Sequence, residues 1–290
     1  MKFSYKYIIV GAGSAGCVLA NKLSENPDNS VLLIEAGPLD KSSSIKMPLA
    51  ASSLFKHKKY GWCYETEPER NLNNRTINWP RGKTLGGSSS INGMLYIRGQ
   101  AEDYQIWKEA GNDGWGYRDL MKYFLSLENN QNYEDQYHGN FGPLWVETYQ
   151  PILDASKKFL NACDEFGLKR NNDFNGEEQE GFGRYQVNIK NGNRFSAADA
   201  FLKPILKRPN LDLITNTLVE KIIITNKKVI GVKAKNKKGS KVIGCSGEVT
   251  LSGGSINSPQ ILMLSGIGPK KHLDDLKIPL VKNLAGVGKN

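Results

Sequence analysis

Two short apolar runs, Tyr7-Ile-Ile-Val10 and Val31-Leu-Leu-Ile34, frame a mixed stretch in which Val18, Leu19 and Leu23 share one helical face. This change of period predicts strand, helix, strand across residues 5–36. Residues 37–81 show no period, and an irregular segment of that length in a compact domain is usually functional. Residues 101–127 read as two helices broken at Gly111-Asn-Asp-Gly114, with Trp107, Leu120, Tyr123, Phe124 and Leu127 expected in a core. Residues 129–142 read as a polar loop, 144–146 as a strand, and 152–166 as a helix. A helix over 195–206 follows, then strands at 211–214, 219–225, 229–235 and 242–251. Ser258-Pro259 is expected to cap a helix carrying Ile261 to Leu264. The class is α/β, with a Rossmann-like unit at the front.

The turn between the first strand and helix is Gly11-Ala-Gly13-Ser-Ala-Gly16. Gly11 permits a tight turn, Gly13 lets backbone N–H groups approach a diphosphate, and Gly16 lets helix and strand pack closely. Unpaired N–H groups and the helix dipole favour an anion there. Glu35 ends the second strand, at the distance from the turn where an acid accepts hydrogen bonds from a ribose diol. Strand, turn, helix and acid agree on a dinucleotide, and both FAD and NAD fit.

Composition narrows the alternatives. The 290 residues are 39% apolar and 23% charged, as in a globular protein of one large or two ordinary domains. A net charge of +10 is dispersed over lysines without interleaved aromatics, which argues against a nucleic-acid partner. Cys17, Cys63, Cys163 and Cys245 are far apart, so isolated thiols in a reducing compartment are expected. No metal-ligand spacing occurs. Met1-Lys2 and the following apolar run imitate a signal peptide, but cleavage after Ala20 would destroy the glycine turn. No segment reaches the ~20 apolar residues of a membrane span, so the location expected is cytoplasmic or peripheral to a membrane.

A second glycine-rich stretch runs from Pro80 to Gly99, through Arg81-Gly-Lys-Thr-Leu-Gly86-Gly87-Ser88-Ser-Ser-Ile91-Asn92-Gly93-Met94. Its Gly82-Lys-Thr84 imitates a P-loop, but Ile77 stands where the earlier glycine is required. Paired glycines before serines suit close approach to a flat ring or a phosphate. With the opening stretch, Tyr137-His-Gly139, Arg194-Phe-Ser-Ala197, the run from Leu251-Ser-Gly-Gly254 to Pro269, and Gly286-Val-Gly288, these motifs make the chain resemble the N-terminal portion of a glucose–methanol–choline (GMC) flavoprotein oxidoreductase. The branch most similar is the choline and alcohol dehydrogenases.

That resemblance implies FAD. Gly11, Gly13, Ser14, Ala15 and Gly16 would hold its diphosphate, and Glu35 with Ala36 its ribose. Trp62, Arg81, Gly82, Leu85, Gly86 and Gly87 would pass along it. Ser88, Asn92, Gly93, Met94 and Leu95 would face the flavin ring, and the Val219 backbone would meet the adenine. Some family members attach FAD through a histidine where this chain has Ile91, so non-covalent FAD is expected. The implied layout is 1–143 FAD-binding, 144–190 the start of a substrate-binding domain, and 191–290 FAD-binding again. The implied activity is oxidation of an alcohol CH–OH, choline-like or another primary alcohol, with oxygen or a quinone-type carrier as acceptor. None of His57, His138 and His272 is expected to be the base, which the family carries farther along. The chain stops inside a family motif at Val287-Gly-Lys-Asn290, so it reads as an inactive fragment, or as one product of a split gene with a separate C-terminal half. A catalytically silent flavin-binding module and a hydroxynitrile lyase on the same scaffold are the alternatives.

Overall fold

The computed structural model of the protein describes residues 4–150 and 152–289. Met1, Lys2 and Asn290, which entered the reading of the two ends, lie outside them. The chain divides into two compact units: residues up to 45, 49–92 and from 196 on form one, and 46–48 with 93–195 the other. The second unit thus starts at 93 rather than 144 and ends at 195 rather than 190. The reason is a pairing distant in sequence, since Leu95–Tyr96 lies antiparallel to Gln186–Val187.

The first unit is built on a six-stranded sheet. β1 (Ser4–Val10), helix α1 (Ser14–Leu23) and β2 (Val31–Ile34) form its opening unit. β1 lies parallel to both β2 and the strand Gly239–Leu251, and β2 is parallel to Leu211–Ile214 on its far side. Beyond Gly239–Leu251 the sheet turns antiparallel through Lys228–Asn236 and Leu218–Thr225. All four residues of β2 are buried, as expected of a parallel strand covered on both faces. Ile8, Val10, Leu32, Ile34, Val219, Ile222, Val232 and Ile243 form the apolar core.

The expected helix face is corrected here. Gly16, Cys17 and Ala20 of α1 are buried, while Val18, Leu19 and Leu23 are only half-buried. The helix meets the sheet through its small residues because its first turn touches the glycine turn itself. Burial pushes the Cys17 thiol up to about 12, so it is inert at neutral pH. The helix expected to open at Ser258 is also corrected: it runs over Gly254–Leu264, with Ser258 and Pro259 inside it. Gly254 adopts φ +85°, which turns the chain straight from strand into helix. Ser258 is therefore not the cap; from inside the helix its Oγ accepts the N–H of the capping residue Gly253 at 3.1 Å.

The second unit carries the helices Ala101–Glu109, Tyr117–Leu127 and Asp154–Glu165. Glu128–Asn130, whose last two residues were expected in a loop, is a short strand parallel to Leu144–Val146. The expected core of the first two helices is absent, for neither helix has a buried residue, and Trp107 and Tyr123 are 47% and 55% exposed. Aromatic rings meet edge-on or tilted instead, Tyr104 against Trp107 and Phe124, and Trp107 against Trp115 in the connection between the helices. Helical spacing reports an apolar face but not what covers it. His138 is buried between two carboxylates that its own sequence neighbourhood does not supply. Its Nδ1 lies 2.9 Å from Glu128 and its Nε2 2.8 Å from Asp173. Buried Arg98 pairs with Glu128 and donates to the Tyr137 carbonyl at 2.7 Å. Among the described residues, no helix is long and apolar enough to cross a membrane.

Candidate functional site

The carboxyl ends of β1, β2 and the strand Gly239–Leu251 point toward one cavity of about 720 Å³ in the first unit. Ligands of open parallel sheets bind at such edges. Its floor is the glycine turn. Gly11 adopts φ +101°, and a Cβ there would come within 2.5 Å of the Ser252 carbonyl oxygen. Gly13 is different: a Cβ there would meet one atom only, at 4.0 Å. Packing within the chain does not demand a glycine at 13, and its bare surface fronts the cavity. A ligand backbone can therefore come close there. The α1 helix begins beside it with no side-chain cap and no acid in its first turn. Its first N–H groups are thus open to an anion.

Glu35 stands at the next wall and is only 5% exposed. Its Oε2 accepts the Ala12 N–H at 2.9 Å and its Oε1 the Gly37 N–H at 2.8 Å. Burial pushes the carboxyl up to about 6, against the pull of those N–H groups and of Lys83. It is ionised at neutral pH, and the acceptor positions its oxygens retain suit a diol. The bond to Ala12 locks the turn after β1 to the end of β2, while the bond to Gly37 fixes the chain just beyond β2.

Of the residues expected from sequence, Gly11, Gly13, Ser14, Ala15, Glu35, Ala36, Trp62, Arg81, Gly82, Gly87, Ser88 and Val219 line this cavity. Gly16 and Leu85 are buried behind it, Gly86 is a left-handed turn residue at φ +83°, and Asn92 is exposed. Gly93, Met94 and Leu95 belong to the second unit. There Met94 is buried at φ +62°, and Leu95 pairs with Val187. Gly87 sits tight on the floor, since a Cβ on it would come within 2.8 Å of the Gly13 Cα.

The expected set missed one whole wall, the start of the Gly254–Leu264 helix with Ser252, Gly253 and Asn257. A signal was present. Leu251-Ser-Gly-Gly254 repeats, after another strand, the strand–glycine–helix order of Val10-Gly-Ala-Gly13. Two helix N-termini therefore face the same space. Tyr64 and Thr217 were missed as well, and nothing in their sequence surroundings marks them. Among the described residues, none of the three histidines lines the cavity.

Comparison with known proteins agrees with this geometry. The family model described as GMC oxidoreductase matches residues 5–290. An alcohol dehydrogenase (acceptor) of Pseudomonas putida is 49% identical over 289 residues, covering 99% of this chain and 52% of its own length. An oxygen-dependent choline dehydrogenase of Rhizobium etli is 45% identical over 284 residues, covering 98% of this chain and 52% of its own. Among solved structures, an FAD-dependent oxidoreductase from Chaetomium thermophilum superposes with a TM-score of 0.91 at 32% identity, over 98% of this chain and 51% of that one. The chain spans about half the length of the curated relatives it matches, 52% in both cases above.

Proposed function

The chain belongs to the GMC oxidoreductase family, and from this premise we propose that its first unit holds FAD non-covalently, as the cofactor-binding part of an enzyme that oxidises an alcohol CH–OH group. The observation that carries the reading is the meeting, at one cavity, of a bare glycine turn, two helix N-termini and a buried carboxylate. The α1 N–H groups would hold the diphosphate, with Ser14 and Ala15 at the first turn. Glu35 would accept the ribose hydroxyls, and its charge would turn away a 2′-phosphate. Val219 lies on the adenine side of this assignment, and Arg81 to Ser88 on the flavin side. Bound FAD would supply the acceptor for a hydride leaving the substrate carbon. The chain's own part is to bind, orient and screen from water; no residue of the cavity is assigned proton removal. The names of the relatives, alcohol and choline dehydrogenases, support a small hydroxyl compound as substrate.

Non-covalent attachment rests on Ile91. It is 2% exposed and packs with Ile45, Leu54 and Tyr60, and its side chain has no nucleophile. Acid precipitation of the yellow chain is expected to leave all flavin in the supernatant. Colour retained in the pellet would contradict this.

Glu35→Gln tests the ribose end. A glutamine has one acceptor oxygen, so its amide group would face the N–H of Ala12 or Gly37, donor against donor. An unsatisfied buried donor costs about 1–3 kcal/mol. FAD affinity, read by quenching of flavin fluorescence, is expected to fall about tenfold or more. Equal affinity in the variant would remove Glu35 from the site.

A further inference from the structure

Between Tyr60 and Lys83 the chain leaves the body of the first unit as an arm. Its base is zipped by the Trp62 N–H to the Arg81 carbonyl, 2.9 Å, and the Lys83 N–H to the Tyr60 carbonyl, 2.7 Å. Farther out, Tyr64–Glu65 pairs antiparallel with Asn78–Trp79. No residue from 62 to 83 is buried, so the arm gains little from apolar packing. Segments of that kind open locally at small free-energy cost. Yet Trp62, Tyr64, Arg81 and Gly82 form one wall of the cavity.

One side chain of the arm reaches across to the opposite wall. The Tyr64 hydroxyl donates to Asn257 Oδ1 at 2.5 Å, over 193 residues of sequence. Asn257 belongs to the first turns of the Gly254–Leu264 helix and itself lines the cavity. Tyr64 is held in direction by Trp62, whose ring is stacked on it at 5.7 Å and 8°, and Lys83 covers the Trp62 ring at 4.8 Å. The hydrogen bond therefore joins two walls that are otherwise separate stretches of backbone.

We propose that Tyr64 and Asn257 form a clasp that closes the arm over the cofactor cavity and slows release of the bound dinucleotide. Tyr64 is here a positioning residue, acting through the arm and not on the reacting atoms. The inference rests on the FAD reading above. Its test is the rate at which FAD leaves the holo-chain, followed as recovery of flavin fluorescence after dilution. Tyr64→Phe keeps the ring and removes the donor. It is expected to speed release about five-fold, the effect of one hydrogen bond of ordinary strength. In an Asn257→Ala background the same substitution is expected to add nothing, because the acceptor is already gone. The melting midpoint of the apo-chain is expected to stay where it is. An unchanged release rate overturns the clasp, and so does an equal acceleration in the Asn257→Ala background, which would mean direct contact between Tyr64 and the cofactor. A lowered midpoint overturns it too, by making the bond a part of the fold. Failure of the unaltered chain to bind FAD at all would instead overturn the reading on which the clasp rests.

Discussion

Gly16→Ala is expected to abolish most FAD binding and to destabilise the first unit. A single methyl at this position would lie 1.9 Å from the Gly11 carbonyl oxygen and 3.0 Å from its carbon. Both are backbone atoms, and Gly11 has no room to yield. Its N–H is bonded to the Ile34 carbonyl at 2.8 Å, and its own Cβ position is blocked by Ser252. The helix must therefore back away from the turn. Overpacking of this kind costs about 1–3 kcal/mol. The functional loss is larger than that figure suggests, because the displaced part of α1 is the end that would hold the diphosphate. Losing one or two charge-assisted hydrogen bonds, each worth about 1.5–3 kcal/mol, corresponds to about tenfold in affinity at the least and more than a hundredfold when two are lost. Fluorescence titration with FAD and a thermal melt read the two effects separately. A variant that binds as well as the parent would show that close approach of helix and turn is not what makes the site.

Stability is expected to fall between about pH 6.5 and pH 9, and His138→Gln is expected to remove that dependence. Burial works against charge on His138, but the hydrogen bonds its ring N–H groups donate to Asp173 and Glu128 outweigh it and raise its pKa from 6.5 to about 9. The groups facing the ring are Glu128 and Asp173, with Arg98 behind Glu128, and Tyr133 tilted against the ring at 5.1 Å. A group whose folded pKa lies above its unfolded value binds more protons when folded. Its contribution is therefore complete below about pH 6.5 and is lost as pH rises through about 9. The shift corresponds to at most about 3 kcal/mol. Truncation costs more than titration, for His138→Ala leaves carboxylates without their partner, at about 3–5 kcal/mol for a broken buried pair. Melts of the parent and His138→Gln at pH 6 and pH 9.5 make the comparison. A parent curve that is flat across that window, or a variant that keeps the slope, would show that the imidazolium is not the titrating group.

Much of the site was legible because it depends on local chemistry. A turn that must be tight, a helix start that must be bare and an acid at the end of the next strand are all read within residues 5–36, and of these Gly11, Gly13, Ser14, Ala15 and Glu35 line the cavity. Gly87 was legible for the same reason, as one of a glycine pair before serines, whereas Gly82 was expected only through the family resemblance. The wall beginning at Ser252 was half legible, since its glycines were noticed while its place opposite the first turn was not. Tyr64, Thr217 and Asn257 were not legible at all. Each owes its position to a partner on another segment, Asn257 to Tyr64 and Thr217 to the Glu35 carbonyl, which its N–H meets at 3.0 Å.

By itself the chain's order of residues determined the strands, the glycine turn and the dinucleotide chemistry, because each rests on periodicity or on the steric needs of neighbouring residues. Only the tertiary structure decided which face of α1 is buried, where the second unit begins, and that His138 lies between two acids. Those outcomes depend on which distant segments come into contact. Gly16 shows the link between the two levels: its missing side chain is visible in the sequence, while the carbonyl that forbids one is visible only in the fold.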